Sequence, residues 1–351
     1  MGTINNEYNK IILKDKKFTD QRIEIEDCTN CKIIGCDFSY DGEDEEMLIL
    51  NNCVGCLVSD CEFHDKVKKG LFIKIVGEKS KDNVIECCVF RDHTFPGDNG
   101  GESICIGNSD CSGCEFNTTI RYCHFRNLKG DPETVSIKSC GNMLENNVHE
   151  KCESNFTIRH GGFNTIRNNM FIGSGGIRVF GDGNAITGNY HQNNDNYDFP
   201  PLALCKGSVE TDPCFSSDGK LSGKKHDDIY DEYVVAKNNL IEGNTYENCE
   251  GTCVVWGKKK KPEHTRIPKK NKFRKNTLIA DDNDSRLLKF DETEVADNEF
   301  EDNQLYGEKA KSGDIPEEAI KKLSTRPEIK IPDAGPKATK VAAPSAPAAS
   351  S

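Results

Sequence analysis

A short segment recurs along most of this chain. Each copy begins with a polar residue or Cys, continues with alternating apolar residues, and ends with Asn or Cys followed two positions later by a bulky side chain. Examples are CKIIGCDF (31–38), CLVSDCEF (56–63) and NTIRNNMF (164–171). Most copies follow one another at roughly 20 to 27 residues, a period typical of stacked repeats. The Asn or Cys falls at Cys36, Cys61, Cys88, Cys123, Asn147, Asn169, Asn189, Asn244 and Asn276.

A repeat of this length cannot bury its apolar face alone, so successive copies must stack and cover one another. Short alternating strands separated by turns predict parallel sheets. The sequence therefore predicts an all-β fold, a right-handed single-stranded parallel β-helix. Hydrophobic residues make up 35% of the chain and charged residues 30%, which suits a thin continuous core. A β-propeller or sandwich is disfavoured because paired hairpin turns do not separate the strands.

The repeated Asn predicts a ladder, because its amide can donate and accept between rungs and tolerates a left-handed backbone. Cys at the same position in the first four rungs predicts buried thiols that pack as small apolar groups. Disulfides typical of an extracellular protein are a second interpretation of the 18 cysteines. The better candidates for such bridges are Cys205 with Cys214 and Cys249 with Cys253.

Zinc ligation is a third interpretation of the cysteines. Cys28, Cys31 and Cys36 form a C-x2-C-x4-C pattern, which Cys53, Cys56 and Cys61 repeat. We disfavour zinc here because the pattern recurs with the rung instead of closing into one four-ligand cluster.

The repeat predicts a β-helix over residues 1–310. Residues 311–351 are predicted to contain one short helix, IPEEAIKKL (315–323), and then a disordered Pro/Ala/Ser-rich tail. The charge run KKKKPEH (258–264) is expected to be a solvated loop, with contact to a polyanion as the alternative. No stretch is apolar enough for a membrane span. The start, MGTINNEYNKII, lacks the charged and then apolar pattern of a signal peptide.

The net charge of −12 argues against nucleic-acid binding, which requires a basic face. A local basic groove on an acidic body can still bind a polyanion. Residues 99–181 contain the candidates for such a groove. Lys138, Arg159 and Arg178 follow one another at about one rung, so they should lie one above another and share a patch with Glu133. A simple surface salt bridge is the alternative interpretation of these charges.

The run E-x4-K-S at 133–139, then R-H-G at 159–161 and G-G-I-R-V at 175–179, resembles polysaccharide lyase family six. This family includes alginate lyases and the dermatan-sulfate lyase chondroitinase B. The resemblance extends over roughly residues 20 to 300. It implies a right-handed parallel β-helix, a bound Ca²⁺ that contacts the substrate's uronate carboxylate, a Lys base and an Arg acid.

Carried over by position, the resemblance implies that Lys138 is the base and Arg159 the acid. It implies that Asn99, Asp131 and Glu133 ligate calcium. Asp131 stands where the family often has Glu, and Glu102 is the alternative to Asn99. His160 and Arg178 match positions that line the sugar groove and would bind substrate.

The chemistry explains this choice of residues. Removal of the weakly acidic C5 proton of a uronate becomes easier when a cation neutralises the adjacent carboxylate, and calcium prefers hard oxygen ligands. Ca²⁺ and Arg159 are expected to lower the pKa of Lys138 and so favour its neutral form. Because Arg stays protonated, Arg159 could instead stabilise the leaving oxygen.

These observations predict a secreted, extracellular or periplasmic polysaccharide lyase, expected to be a monomer. Its expected partner is an anionic polysaccharide, with no nucleic acid or membrane partner. Alginate is preferred because it is the commoner substrate in the family that the chain resembles, and dermatan sulfate stays open. A non-catalytic polysaccharide-binding or structural β-helix is the alternative. A glycoside hydrolase is disfavoured because Asp131 and Glu133 are side by side and suited to a metal instead of the wider separation of a hydrolase pair.

Overall fold

The chain folds as a coil of stacked rungs in which three parallel sheets run along the axis. The structure, a computed structural model, describes residues 2–5, 11–97, 99–195, 199–211, 232–291 and 297–336. Most rungs contribute one strand to each sheet, and strands of successive rungs pair in parallel. The predicted parallel β-helix is therefore confirmed. No helix among the described residues is both long and apolar enough to cross a membrane.

The first sheet contains the long strands that carry the candidate site. Its strands are β1 (Gly2–Asn5), β4 (Ile23–Glu26), β7 (Leu48–Asn51), β10 (Ile73–Val76), β13 (Ile104–Ile106), β16 (Glu133–Lys138), β19 (Asn155–His160), β22 (Ile177–Val179), β25 (Leu202–Cys205), β28 (Gly251–Lys258), β31 (Ser285–Phe290) and β34 (Ala310–Gly313).

The second sheet is built mainly from strands of three residues. They are β2 (Ile12–Lys14), β5 (Lys32–Ile34), β8 (Leu57–Ser59), β11 (Val84–Glu86), β14 (Thr119–Arg121), β17 (Met143–Glu145), β20 (Thr165–Arg167), β23 (Ala185–Thr187), β26 (Leu240–Glu242), β29 (Lys272–Arg274) and β32 (Glu299–Glu301).

The third sheet completes each rung. Its strands are β3 (Lys17–Phe18), β6 (Asp37–Phe38), β9 (Glu62–Lys66), β12 (Val89–His93), β15 (His124–Leu128), β18 (Val148–Glu150), β21 (Met170–Ile172), β24 (Tyr190–Gln192), β27 (Thr245–Glu247), β30 (Thr277–Ile279), β33 (Asn303–Tyr306) and β35 (Ile320–Lys322). Short 3₁₀ turns occur at Ser109–Cys111 and Glu317–Ala319.

Alternation along each strand places every second side chain in the core, as expected for a period of two. In β4, Ile23 and Ile25 are buried while the residues between and after them are partly exposed. Equivalent positions stack between rungs. The rings of Phe38 and Phe63 lie 4.5 Å apart, and those of Phe63 and Phe90 lie 5.2 Å apart. The thin core is thus a set of columns that run along the axis.

The predicted asparagine ladder is present. The backbone N–H and the side-chain Nδ2 of Asn147 donate to Asn169 Oδ1 at 2.9 and 3.0 Å. Asn169 repeats these bonds to Asn189, and the pattern continues as far as Asn303. A second ladder, which we did not predict, contains Asn142, Asn164, Asn184, Asn239, Asn271 and Asn298.

Some predictions for the cysteines are confirmed and others are wrong. Cys36, Cys61, Cys88 and Cys123 are buried free thiols, as the ladder predicted. The predicted bridge between Cys249 and Cys253 is wrong, because both are free thiols. The proposed partner of Cys205, Cys214, lies outside the described residues. A disulfide that we did not predict joins Cys28 to Cys31.

The predicted helix over 315–323 is wrong. The segment forms one 3₁₀ turn and then β35, which pairs in parallel with β33. Pairing with the last rung covers a strand edge that would otherwise be exposed. The coil therefore continues beyond residue 310, through β34 and β35.

Residues 324–336 run back along the coil. Ile329 and Ala334 pack against a cluster formed by Val148, Met170 and Tyr190. The backbone N–H of Gly335 donates to Asn146 O at 2.8 Å. This stretch includes the first residues of the predicted disordered tail and is instead packed, because it covers apolar side chains on the outside of the coil. The rest of that tail, 337–351, lies outside the described residues.

Candidate active site

Two irregularities in the pairing of β16 with β19 shape the candidate site. Ile137 pairs with Ile158, but Lys138 pairs with His160, so Arg159 is an extra residue. A second shift lies between Glu133 and Val135. Such bulges change the direction in which a side chain points and are common beside active sites. Near both ends of β16, side chains therefore do not follow the simple inward and outward alternation of a regular strand.

The register corrects one prediction from the rung spacing. We expected Lys138, Arg159 and Arg178 to lie directly above one another. Arg178 instead pairs with Thr157, which in turn pairs with Ser136. Arg178 therefore belongs to the column that runs along the middle of the strands, and it reaches the site through its long side chain.

Asn99, Lys138 and Arg159 line one cavity of about 290 Å³, together with Glu102 and Cys105. The rim carries ion pairs from earlier rungs, with 2.7 Å between Lys74 Nζ and Glu46 Oε1. Lys69 also lines the cavity. The structure thus brings the predicted base, the predicted acid and one predicted calcium ligand to the same opening, which four cations and three carboxylates line.

Glu133 is the centre of the charge network behind this cavity. Its carboxylate contacts Arg178 Nη2 directly, and its Oε1 lies 3.7 Å from Lys260 Nζ. Burial alone raises the pKa of Glu133, but Arg178, Arg159, Lys260 and Lys138 outweigh it and lower the pKa to about 2. Glu133 is therefore a buried anion surrounded by cations at any pH that an assay would use.

Lys260 is a site residue that we missed, because its charge run was interpreted as a solvated loop. The run directly follows β28 and brings Lys260 Nζ to 5.4 Å from the ring centroid of Tyr233. Partial burial and the nearby Arg178 lower the pKa of Lys260 to about 8. The position of the run at the end of a first-sheet strand was the signal that could have identified it.

Asp131 holds the loop above the cavity. Its Oδ2 accepts the N–H of Gly100 at 2.8 Å, and its Oδ1 accepts the N–H of Glu133 at 2.9 Å. Burial, then Glu102 and Glu133, raise the pKa of Asp131 to about 7. Burial also raises the pKa of Glu102. Three acids thus share one buried region, and the pKa values of two of them, Asp131 and Glu102, are raised.

The environment of Lys138 differs from our expectation. The pKa of Lys138 is raised, first by the adjacent Cys105 and then by Glu102, which outweigh the lowering effects of burial and Arg159. The expected lowering by Arg159 is present but outweighed, and the expected lowering by a bound cation stays a prediction. The reason for the difference is that side chains of the preceding rung, which the motif does not include, face Lys138.

His160 and Tyr233 pack together beside Arg159. Their ring centroids lie 4.9 Å apart, and the guanidinium carbon of Arg159 is 5.5 Å from the Tyr233 ring. Burial, followed by the charges of Arg159 and Lys138, lowers the pKa of His160 well below its usual value. His160 is therefore neutral and suited to hydrogen bonding. Tyr233 follows a long insertion and has no periodic signal in the sequence.

Several buried polar atoms around these strands have no hydrogen-bond partner among the described residues. They are Glu133 Oε2, Ser136 Oγ, Thr157 Oγ1, His160 Nε2 and Arg178 Nε. Unpaired buried polar atoms are rare, and a cluster of them calls for an explanation. A polar ligand or ordered water on this part of the first sheet would satisfy them.

The residues chemically suit the calcium that the family resemblance implies. Glu133 Oε2 is a buried oxygen without a partner, Asn99 lies at the exposed side of the cavity, and Asp131 supplies a second carboxylate. These are the hard oxygen donors that Ca²⁺ prefers. Arg178 and Lys260 compete for Glu133, and backbone N–H groups compete for Asp131. Calcium ligation by Asn99, Asp131 and Glu133 stays a prediction.

Comparison with known proteins identifies the family. The model of the chondroitinase B family matches residues 9–213, which is more than half of the chain. The chain belongs to the chondroitinase B family. The resemblance seen in the E-x4-K-S, R-H-G and G-G-I-R-V motifs is thereby confirmed, and all three motifs lie within the matched residues of the family. Among curated proteins, no sequence matches the chain.

Solved structures of this family share the fold. Alginate lyase AlyGC is 21% identical with a TM-score of 0.66, over 92% of this chain and 49% of its own. A family six alginate lyase in complex with a trisaccharide is 14% identical with a TM-score of 0.64, over 95% and 85%. A family six lyase from Pseudopedobacter saltans is 17% identical with a TM-score of 0.63, over 96% and 99%. The chain thus spans about half the length of AlyGC but nearly all of the P. saltans protein.

Proposed function

We propose that this protein is a polysaccharide lyase that cleaves a uronate-containing polyanion, with alginate as the preferred substrate, by β-elimination. The supporting observation is that four cations, Lys138, Arg159, Arg178 and Lys260, surround the buried anion Glu133, and that Lys138 and Arg159 line one cavity on the first sheet. A net charge of −12 makes this local concentration of positive charge the surface suited to a polyanion. Family membership supports the same reaction class.

In the proposed reaction, neutral Lys138 takes the C5 proton of a uronate. The electrons of the broken C5–H bond form the C4–C5 double bond, and the bond from C4 to the leaving oxygen breaks. Arg159 stabilises the developing charge on that oxygen, which gains a proton directly or through water. Arg178, Lys260 and neutral His160 bind the sugar and hold its carboxylate. When bound, calcium would supply further positive charge for that carboxylate.

A secreted location is part of this proposal, because a large polyanionic polymer is met outside the cell. A glycan-binding β-helix without catalysis is the second candidate function. It is favoured by the direct contact between Arg178 and Glu133, which would hold that arginine as a structural ion pair.

The test is incubation with alginate and, separately, with dermatan sulfate, while ultraviolet absorbance of the unsaturated uronate product is followed. We expect absorbance to rise with alginate. A rise with dermatan sulfate alone would support the lyase reaction but would identify dermatan sulfate as the substrate. Binding of either polymer without absorbance would replace the lyase with the glycan-binding function, and new reducing ends without absorbance would indicate hydrolysis.

Removal of calcium is expected to lower kcat/KM by at least about tenfold, because the charge beside the uronate carboxylate would be lost. The measurement is the absorbance assay after exhaustive chelation, with Ca²⁺ and Mg²⁺ added back separately. Only Ca²⁺ should restore activity, since Mg²⁺ demands a tighter octahedral site. Full activity after chelation would assign neutralisation of the carboxylate to Arg178 and Lys260 alone.

The rate is expected to rise with pH through the alkaline range. Lys138 can act as a base only when neutral, and below its pKa the neutral fraction rises about tenfold per pH unit. Because Glu102 helps to raise the pKa of Lys138, Glu102→Gln should move the rising limb of kcat/KM to lower pH. Glu46→Gln is the matched control, since Glu46 lines the same cavity but pairs with Lys74. A limb that stays in place in Glu102→Gln would contradict this assignment.

A further inference from the structure

Two C-x2-C motifs lie one above the other in the corner between the first and second sheets. The first contains Cys28 and Cys31, between β4 and β5, and the second contains Cys53 and Cys56, between β7 and β8. A parallel bridge joins Thr29 to Val54, so the motifs occupy the same position in adjacent rungs. All four cysteines are 0% exposed.

Three of the four sulfur atoms form one cluster, and the fourth, that of Cys53, belongs to the same motif as Cys56. The ligand atoms of Cys28, Cys31 and Cys56 all lie within 4.8 Å of one another. Cys28 and Cys31 are joined as a disulfide, and the thiols of the second motif point to the rung of the first, with Cys53 Sγ 3.3 Å from Ile25 O and Cys56 Sγ 3.7 Å from Cys28 O. The repetition of the motif with the rung, which argued against zinc in the sequence, is therefore what closes the cluster.

The rest of the chain provides an internal contrast. Cys36, Cys61, Cys88 and Cys123 stack in the other corner with a single thiol in each rung. That column forms no such group among the described residues, where three or more Cys, His, Asp or Glu ligand atoms lie within 4.8 Å of one another only in the three cysteines above and in Asp37, Glu62 and His64. A cysteine ladder alone thus does not gather sulfur atoms in this way.

The surroundings favour a closed site. Cys56 donates its backbone N–H to Asn83 Oδ1 at 2.9 Å, and Asn83 Nδ2 donates to Cys53 O at 2.8 Å. Asn83 therefore fixes the backbone of the second motif from the next rung. Buried cysteine sulfur atoms are the ligands of structural zinc, and Cys53 would supply the fourth, so that no coordination position stays open.

We propose that, in the reduced protein, Cys28, Cys31, Cys53 and Cys56 bind one structural Zn²⁺ that joins two successive rungs. A thiol reductant supplies two electrons and two protons to convert the Cys28–Cys31 disulfide into two thiols. Zn²⁺ then replaces four thiol protons, which are released to solvent. Because rungs near the end of a solenoid have fewer neighbours, a metal crosslink here would stabilise the amino-terminal part of the coil.

The experiment uses the full chain, purified with a thiol reductant and Zn²⁺ and then freed of loosely bound metal. Plasma mass spectrometry should find about one zinc per chain. Cobalt substitution should give the absorption of a tetrahedral thiolate complex. Cys56→Ser should reduce bound zinc by about tenfold or more, whereas Cys88→Ser, which changes an equally buried thiol outside the cluster, should retain it.

Zinc-free reduced protein would overturn the proposal, as would equal zinc in the Cys56→Ser and wild-type proteins. If Cys56→Ser does not fold, the wild-type protein alone can still test the zinc site. Release of zinc by a thiol-blocking mercurial should then require about four thiols per metal ion, and release without loss of thiols would count against the site. None of these readouts depends on lyase activity, so they stand apart from the proposed function.

Discussion

Lys138→Ala is expected to lower kcat by roughly 10²- to 10⁴-fold, the usual contribution of a positioned general base. Lys138 lines the cavity with Arg159, and its amine is the group proposed to take the C5 proton. The measurement is the initial rate of ultraviolet absorbance on the substrate found by the assay above. KM should change much less than kcat, because Arg178, Lys260 and His160 still bind the sugar.

Lys138→Arg separates the base from a simple positive charge. Arginine keeps the charge but cannot become neutral at accessible pH, so its activity should fall as far as that of Lys138→Ala. Lys275→Ala is a matched control, since Lys275 is an exposed lysine paired with Glu242 on the second sheet. Substantial activity in Lys138→Arg would mean that Lys138 acts through its charge and that another group removes the proton.

The fold could be predicted because one column of repeated residues indicates the length of each rung. Asn147, Asn169 and Asn189 recur where the amide must bond to the rung above, so the chemistry of the residue and the spacing agree. The meeting of Lys138 and Arg159 followed from the same spacing. The bulge at Arg159 could not be predicted, because one extra residue in a strand leaves the apolar pattern around it unchanged.

Contacts made by residues outside the motifs also could not be predicted from the sequence. Cys105 and Glu102 act on Lys138 from the preceding rung, and Lys260 reaches Glu133 from a loop more than one hundred residues further along the chain. The local pattern of a charge run is the same whether it faces solvent or an active site. The helix predicted over 315–323 was wrong for a related reason, since pairing with β33 overrides the local helical preference of the segment.

Asn169→Leu is expected to cause the largest loss of stability of any single change outside the site. Asn169 Oδ1 accepts two hydrogen bonds from Asn147, one from its backbone N–H at 2.9 Å and one from the Nδ2 of its side chain at 3.0 Å. Asn169 Nδ2 donates to Leu144 O at 3.0 Å. Leucine has a similar volume but removes all three bonds, at about 1 kcal/mol each and up to about 3 kcal/mol for the backbone N–H of Asn147, which is left unpaired. Asn147 Nδ2 keeps its bond to Ile120 O. The free energy of unfolding should fall by about 4 kcal/mol.

Urea unfolding followed by circular dichroism measures this loss as a shift of the midpoint, with a changed slope indicating that the rungs no longer unfold together. Asn238→Gly is the control, because Asn238 is an exposed residue with φ of 51° and glycine tolerates that backbone conformation. Its effect should stay within about 0.5 kcal/mol. If Asn169→Leu were no more destabilising than Asn238→Gly, the ladder would be a consequence of the stacked rungs and not one of the interactions that hold them together.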